Sequence, residues 1–167
     1  MMNTFVIAAA LALVSTGKET DDFINAASGK IAISTEDLPS TASELGKLLK
    51  PAATKRDAYR VEGDKSWSFN LVAVLKREAK TPTVHVVFYD KDDKEALKKF
   101  APVRAVEVNP AAHNKVLNVP SIEVTADQGF VGGKTYIVRV TELDNNREVD
   151  LDDTLLTLTP PPASQGA

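Results

Sequence analysis

The sequence predicts an all-β fold, an antiparallel β-sandwich of about seven strands preceded by one short N-terminal helix. Three observations carry that expectation. The hydrophobic period is two over most of residues 58–159, the repeat of a half-buried strand. Helical spacing is confined to one short run around Leu45, Leu48 and Leu49. Turn-forming residues divide the chain into segments of strand length, the pattern of a sandwich rather than of alternating helices and strands.

The first segment stands apart from this pattern. Residues 5–14, Phe-Val-Ile-Ala-Ala-Ala-Leu-Ala-Leu-Val, are apolar without a charge. Ten helical residues reach about 15 Å, half of a roughly 30 Å hydrocarbon core, so the run is too short to span a membrane. It has the length of the apolar region of a secretory signal. A cut after Gly17 leaves Ser15 and Gly17 where small side chains are required, although no Lys or Arg precedes the run. The expected organisation is residues 1–17 as signal peptide, 18–65 as a polar leader with a short strand and helix, 66–159 as the sandwich, and 160–167 as a disordered tail. The expected location is extracytoplasmic, periplasmic or secreted.

Within the leader, residues 18–28 are polar and read as flexible. Gly29 to Ser34 alternates, with Ile31 and Ile33 on one face. Thr41-Ala-Ser-Glu44 has capping-box spacing ahead of the three leucines, and Pro51 ends the run. A helix of about ten residues is not stable alone, so its leucines must pack on something. Ala58 to Glu62 is a short strand candidate. Ser66 to Lys76 is the strongest, with Trp67, Phe69, Leu71, Ala73 and Leu75 on one face. Thr83–Asp90, Val103–Val108, Pro120–Thr125, Thr135–Leu143 and Thr154–Thr159 complete the series.

Phe130-Val-Gly-Gly133-Lys-Thr-Tyr136-Ile-Val138-Arg-Val140 resembles the corner between the fifth and sixth strands of fibronectin type III and related immunoglobulin-like domains. There a glycine turn precedes a tyrosine that hydrogen-bonds back across it. Gly132 stands where proline is usual, and Lys134 where threonine is. Trp67 is placed like the core tryptophan of the second strand in those domains. The resemblance implies an immunoglobulin-like sandwich and no activity. Gly29-Lys-Ile31, Trp67-Ser-Phe69, Val86-Val-Phe-Tyr-Asp90 and Gly133-Lys-Thr-Tyr136 together also resemble uncharacterised exported proteins of myxobacteria and their relatives. That group implies no catalytic residues.

Composition removes several chemistries. With no cysteine there are no disulfides, thiolate metal sites, cysteine nucleophiles or lipidated cysteine, so no lipid anchor of that kind. Twenty Lys and Arg against 23 Asp and Glu give a net charge of −3 and no general attraction to nucleic acid. The one basic stretch, Lys47, Lys50, Lys55, Arg56 and Arg60, has only Tyr59 for stacking. His85 and His113 lack the spacing and partners of a zinc site. No serine lies in a G-x-S-x-G elbow, and Gly132-Gly133 lacks the trailing helix of a phosphate loop.

Two acidic clusters remain. Asp90-Lys-Asp-Asp-Lys-Glu95 reads as a solvated turn, because an EF-hand loop needs Gly where Glu95 stands and Glu where Ala101 stands. Asp150, Asp152 and Asp153 are weak calcium candidates in an acidic hairpin. The leading expectation is an exported, non-enzymatic sandwich that contacts another protein or an envelope component, with no catalytic residues and no organic cofactor. Its partner-binding candidates are His85, Val87 and Tyr89, on a sheet face that alternation assigns to solvent, and the loop around His113. The alternatives are a calcium- or glycan-binding module, and a hydrolase using Asp90, Asp92 and Glu95 with His85.

Overall fold

The computed structural model describes residues 6–8, 17–39, 41–49, 58–109, 115–145 and 147–163. The architecture is organised by the strand Ser66–Val74, β4, whose second half is closed to solvent on both faces. Leu71, Ala73 and Leu75 point into the larger core, while Val72 and Val74 belong to a second cluster on the opposite side. An unbroken apolar run is what a strand covered on both faces requires.

Two sheets follow from the pairing around β4 and its counterpart β5, Val84–Asp90. The smaller sheet places β4 between β2, Lys30–Ser34, and β7, Val116–Thr125, both antiparallel to it. In the larger sheet β5 lies between β6, Arg104–Asn109, and β8, Thr135–Asp144. β8 pairs with β9, Arg147–Thr159. Two short strands close its edges in parallel: β1, Val6–Ala8, beside β6, and β3, Tyr59–Glu62, beside β9. The fold is therefore all-β in class, with nine strands among the described residues and two parallel pairs where a wholly antiparallel set of about seven was expected.

Among the described residues three α-helices accompany them: α1, Gly17–Ala27; α2, Ala42–Leu49; and α3, Lys94–Lys98. The leader read as flexible is thus helical from Gly17. Phe23, Ile24 and Ala27 give it an apolar stripe at helical spacing, and the rest of its described surface is exposed. α2 begins where the capping pattern placed it. Thr41 Oγ1 accepts from the Glu44 amide at 3.3 Å and donates to the Glu44 carboxylate at 2.8 Å. Phe23 and Ala27 of α1 and Leu45 and Leu49 of α2 cluster with Ala32, Val72, Val74 and Val116. The leucines of α2 pack on the outer side of the smaller sheet, so the molecule has three layers. β2 and β3 arise from residues assigned to the leader yet pair within the two sheets, because β4 and β9 need neighbours on those sides.

The main core is joined across the sheets by aromatic edges. Phe69 of β4 meets Phe88 of β5 at 6.2 Å between centroids, Phe88 meets Phe130 at 5.7 Å, and Phe130 meets Tyr136 of β8 at 5.0 Å. Polar stitches close the two sides. On one side Trp67 Nε1 donates to the carbonyl of Thr159 at 3.1 Å. Gly63 turns tightly over that indole: a Cβ there would sit 2.1 Å from the Ser66 carbonyl oxygen. On the other side the Arg104 guanidinium donates to the Glu123 carbonyl and to Gln128 Oε1. β4 and β7 carry facing irregularities, with a register shift between Phe69 and Leu71 and a left-handed Ser121 after Pro120. Asn70 spans the break: its amide donates to the Glu36 carbonyl at 2.7 Å and accepts from the Ser121 amide at 2.8 Å.

The corner before β8 is built as its sequence indicated. The Val131 amide donates to Tyr136 Oη at 2.8 Å across a turn in which Gly133 has φ +86°.

Leu45→Ala tests the helix layer. If that layer is integral to the fold, the loss is about 2–5 kcal/mol in urea unfolding, the range for emptying a buried leucine site. A change below ~1 kcal/mol would mean that the helices rest on the sheet without stabilising it. Tyr136→Phe leaves the Val131 amide without its acceptor, with an expected loss of about 1–3 kcal/mol by the same measurement.

Candidate functional site

β5 carries the candidates from the sequence. Alternation sends Val84, Val86 and Phe88 into the core and His85, Val87 and Tyr89 to the outer face of the larger sheet. That face is not open. His85 is half-buried, but Val87 is only 3% and Tyr89 only 1% exposed. The cover comes from the β8–β9 hairpin. The Arg139 guanidinium lies over the Tyr89 ring, 5.2 Å from its centroid, and pairs with Asp150 at 3.4 Å. Tyr89 Oη donates to the Glu148 carboxylate, 3.1 Å from each oxygen. Burial first, then the Glu148 charge and hydrogen bond, push the tyrosine hydroxyl well above its ordinary range. The apolar and aromatic residues here are explained by an intramolecular cluster, and Val87 and Tyr89 do not present a free surface. His113 lies outside the described residues.

The acidic hairpin is divided rather than gathered. The register shift after Val140 leaves Leu151 between Asp150, opposite Thr141, and Asp152, opposite Val140. Asp152 consequently faces inward, its side chain closed to solvent and 3.9 Å from Lys76 Nζ. Asp150 lies with Arg139 on the other face, and Asp153 stands opposite Arg139. Among the described residues no group of three or more His, Asp or Glu is placed to hold a metal ion.

The Asp90 cluster is likewise dispersed. Asp90 accepts from Lys134 Nζ at 2.5 Å, which ties the end of β5 to the start of β8 and holds its carboxyl below the usual range. Asp93 caps α3 by accepting from the Ala96 amide at 2.9 Å. Asp92 and Glu95 are exposed, with Glu95 paired to Lys98 at 3.2 Å. His85 is five residues up the strand from Asp90, roughly 17 Å away, so those two do not share a site.

Sequence reasoning missed the most enclosed acid, Glu142. It pairs with Val84 at the inner edge of the core, and its side chain is closed to solvent. Arg77 donates to one oxygen at 2.5 Å and the Lys80 amide to the other at 2.6 Å. The carboxylate thereby fastens the β4–β5 connection onto β8. Burial alone would raise its pKa. The Arg77 hydrogen bond, the turn amides and the Arg77 charge outweigh that, and the net result lies below the ordinary 4.5. A glutamate continuing the inward series Tyr136, Val138 and Val140 was the available signal. No protein-family model matches this chain, and no curated protein matches it.

The Glu142 clamp has a pH signature. Because its folded pKa is depressed, its contribution is fully present above the ordinary glutamate value and is lost as pH falls through the folded one. Glu142→Gln is therefore expected to be less stable than wild type at pH 7, with the difference shrinking steadily below about pH 4.5. Urea unfolding across pH 3–7 checks this. A difference independent of pH would refute the ionic origin of the clamp.

Proposed function

We propose that this protein is an exported, non-enzymatic immunoglobulin-like sandwich that works by contact with another protein or an envelope component. Its strand orders support the architecture. β2-β4-β7 against β6-β5-β8-β9, with β3 parallel on β9, corresponds to the two sheets of such domains with their first strand divided between them. The Tyr136–Val131 hydrogen bond and the enclosed Trp67 on the second strand of the sandwich agree with it. β1 and the helix layer are additions to that plan.

One observation carries the contact reading: most of the sheet surface is spent on packing. The inner faces form the core, and α1 and α2 cover the smaller sheet. The Tyr89–Arg139–Glu148 cluster covers the Val87–Tyr89 part of the larger sheet's outer face, where His85, Ala105, Glu107 and Ile137 stay half-exposed. Contact falls chiefly to edges and end loops, where binding surfaces on rigid scaffolds are found. No described helix is long and apolar enough to cross a membrane. Export rests on residues 5–14 and the small residues after them.

Expression of the full chain in a bacterial host tests the location. Osmotic shock is expected to release a product that mass spectrometry shows shortened by the first 17 residues. Retention of the full-length chain in the cytosol would sink the export reading.

A further inference from the structure

The strand edges of the two sheets are unequally protected. β7 carries Pro120 and the left-handed Ser121. β2 begins at Lys30, and β3 offers only four residues, two of them charged. Proline, lysine, irregularity and shortness are the devices that keep an edge from pairing with another chain. β6 has none of them. Its six residues contain no proline, lysine or glycine and pair with β5 without a register shift. Of its two charges, Arg104 is turned across the sandwich to Glu123 and Gln128.

What occupies this edge is β1. Val6, Ile7 and Ala8 run parallel to Glu107, Val108 and Asn109. Ordering each residue costs about 1–2 kcal/mol, and closing a loop of roughly a hundred residues adds to that. Three residues of pairing hold such a segment lightly. β1 also leaves Arg104, Ala105 and Val106 unpaired on that side among the described residues.

We propose that β6 is a strand-accepting edge, with Val6–Ala8 as its replaceable occupant, and that its partner is an extended apolar peptide segment added in parallel. An occupant reaching three residues further toward its own N-terminus than β1 runs beside all of Arg104–Asn109. Main-chain hydrogen bonds supply the affinity of such an addition, and alternate side chains its selectivity. This deepens the contact reading and rests on it for its biological use. Under the export reading, removal of residues 1–17 is what empties the edge.

The experiment uses the full chain and its Ile7→Pro variant. The probe is a synthetic peptide with the sequence of residues 3–10, Asn-Thr-Phe-Val-Ile-Ala-Ala-Ala, carrying a solubilising lysine tail. Proline is poorly tolerated inside a paired strand, so at position 7 it weakens β1. A tethered copy competes with added peptide, so the variant is expected to bind at least about tenfold tighter than wild type. Backbone NMR is expected to show the bound peptide protecting amides within Arg104–Asn109. No binding to the variant, equal binding to both chains, or protection elsewhere overturns the proposal.

Among the described residues the two clusters begin at Ile31 and at Phe23, and the variant is expected to keep its fold. If it does not, hydrogen exchange in the wild-type chain decides. The β1-facing amides of Glu107–Asn109 are expected to exchange at least about a hundredfold faster than those of Val86–Phe88, through local opening. Exchange of both sets only by global unfolding overturns the proposal. An unprocessed cytosolic product would refute export alone and leave the result at the edge intact.

Discussion

Leu71, Val72, Ala73, Val74 and Leu75 are all closed to solvent, and the rest of the structure is arranged around that constraint. A strand with apolar side chains on both faces needs two covers. One is the larger sheet, whose Val84, Val86 and Phe88 complete the main core. The other is the pair of helices, whose buried Phe23, Leu45 and Leu49 would be exposed without it. Each fully buried leucine or phenylalanine contributes about 1.5–3 kcal/mol, so neither layer is a minor appendage. The dependence is mutual: α1 and α2 are eleven and eight residues long, lengths at which an isolated helix is marginal in water.

Polar groups then fix the position of elements that packing alone would allow to slide. Trp67 and Arg104 join the sheets at opposite sides through backbone carbonyls. Asn70 occupies the irregularity between β4 and β7, and Glu142 anchors the connection into β5. Tyr89, Arg139, Glu148 and Asp150 form a comparable group on the outer face. Trp67, Glu142 and Tyr89 bond at part-buried positions, where an unmet donor, acceptor or charge would be costly, whereas the bonds of Asn70 and Arg104 are exposed and tie strand to strand. Each of these groups holds one element of the two sheets against another.

The fold class was legible because strand periodicity survives without tertiary information. Trp67, Phe69 and Leu71 alternate whatever they pack against, and the Gly133-to-Tyr136 corner is local enough to read. The helix layer was only half legible. α2 carries a capping pattern and three leucines, whereas α1 marks its buried stripe with Phe23, Ile24 and Ala27 among polar residues. Val72 and Val74 held the missing information, since a one-sided strand would carry polar residues there. The cover over Val87 and Tyr89 was not legible for a related reason. Val87 and Tyr89 do lie on the outer face, but alternation cannot show that Arg139, some fifty residues later, folds over the ring. The three aspartates looked like one cluster because the register shift that divides them leaves no mark in the sequence.

The pairing of β3 with β9 has a consequence for the order of events in folding. Tyr59–Glu62 finds its strand partner only at Leu156–Thr159, and Trp67 its carbonyl acceptor only at Thr159. Neither element can reach its final place until Leu156–Thr159 has left the ribosome. The helix-covered sheet, whose strands end at Thr125, lacks that restriction. Contacts of such wide sequence separation slow folding. Synthesis therefore completes the larger sheet after the smaller one, and its apolar inner surface stays open until Arg147–Thr159 has emerged.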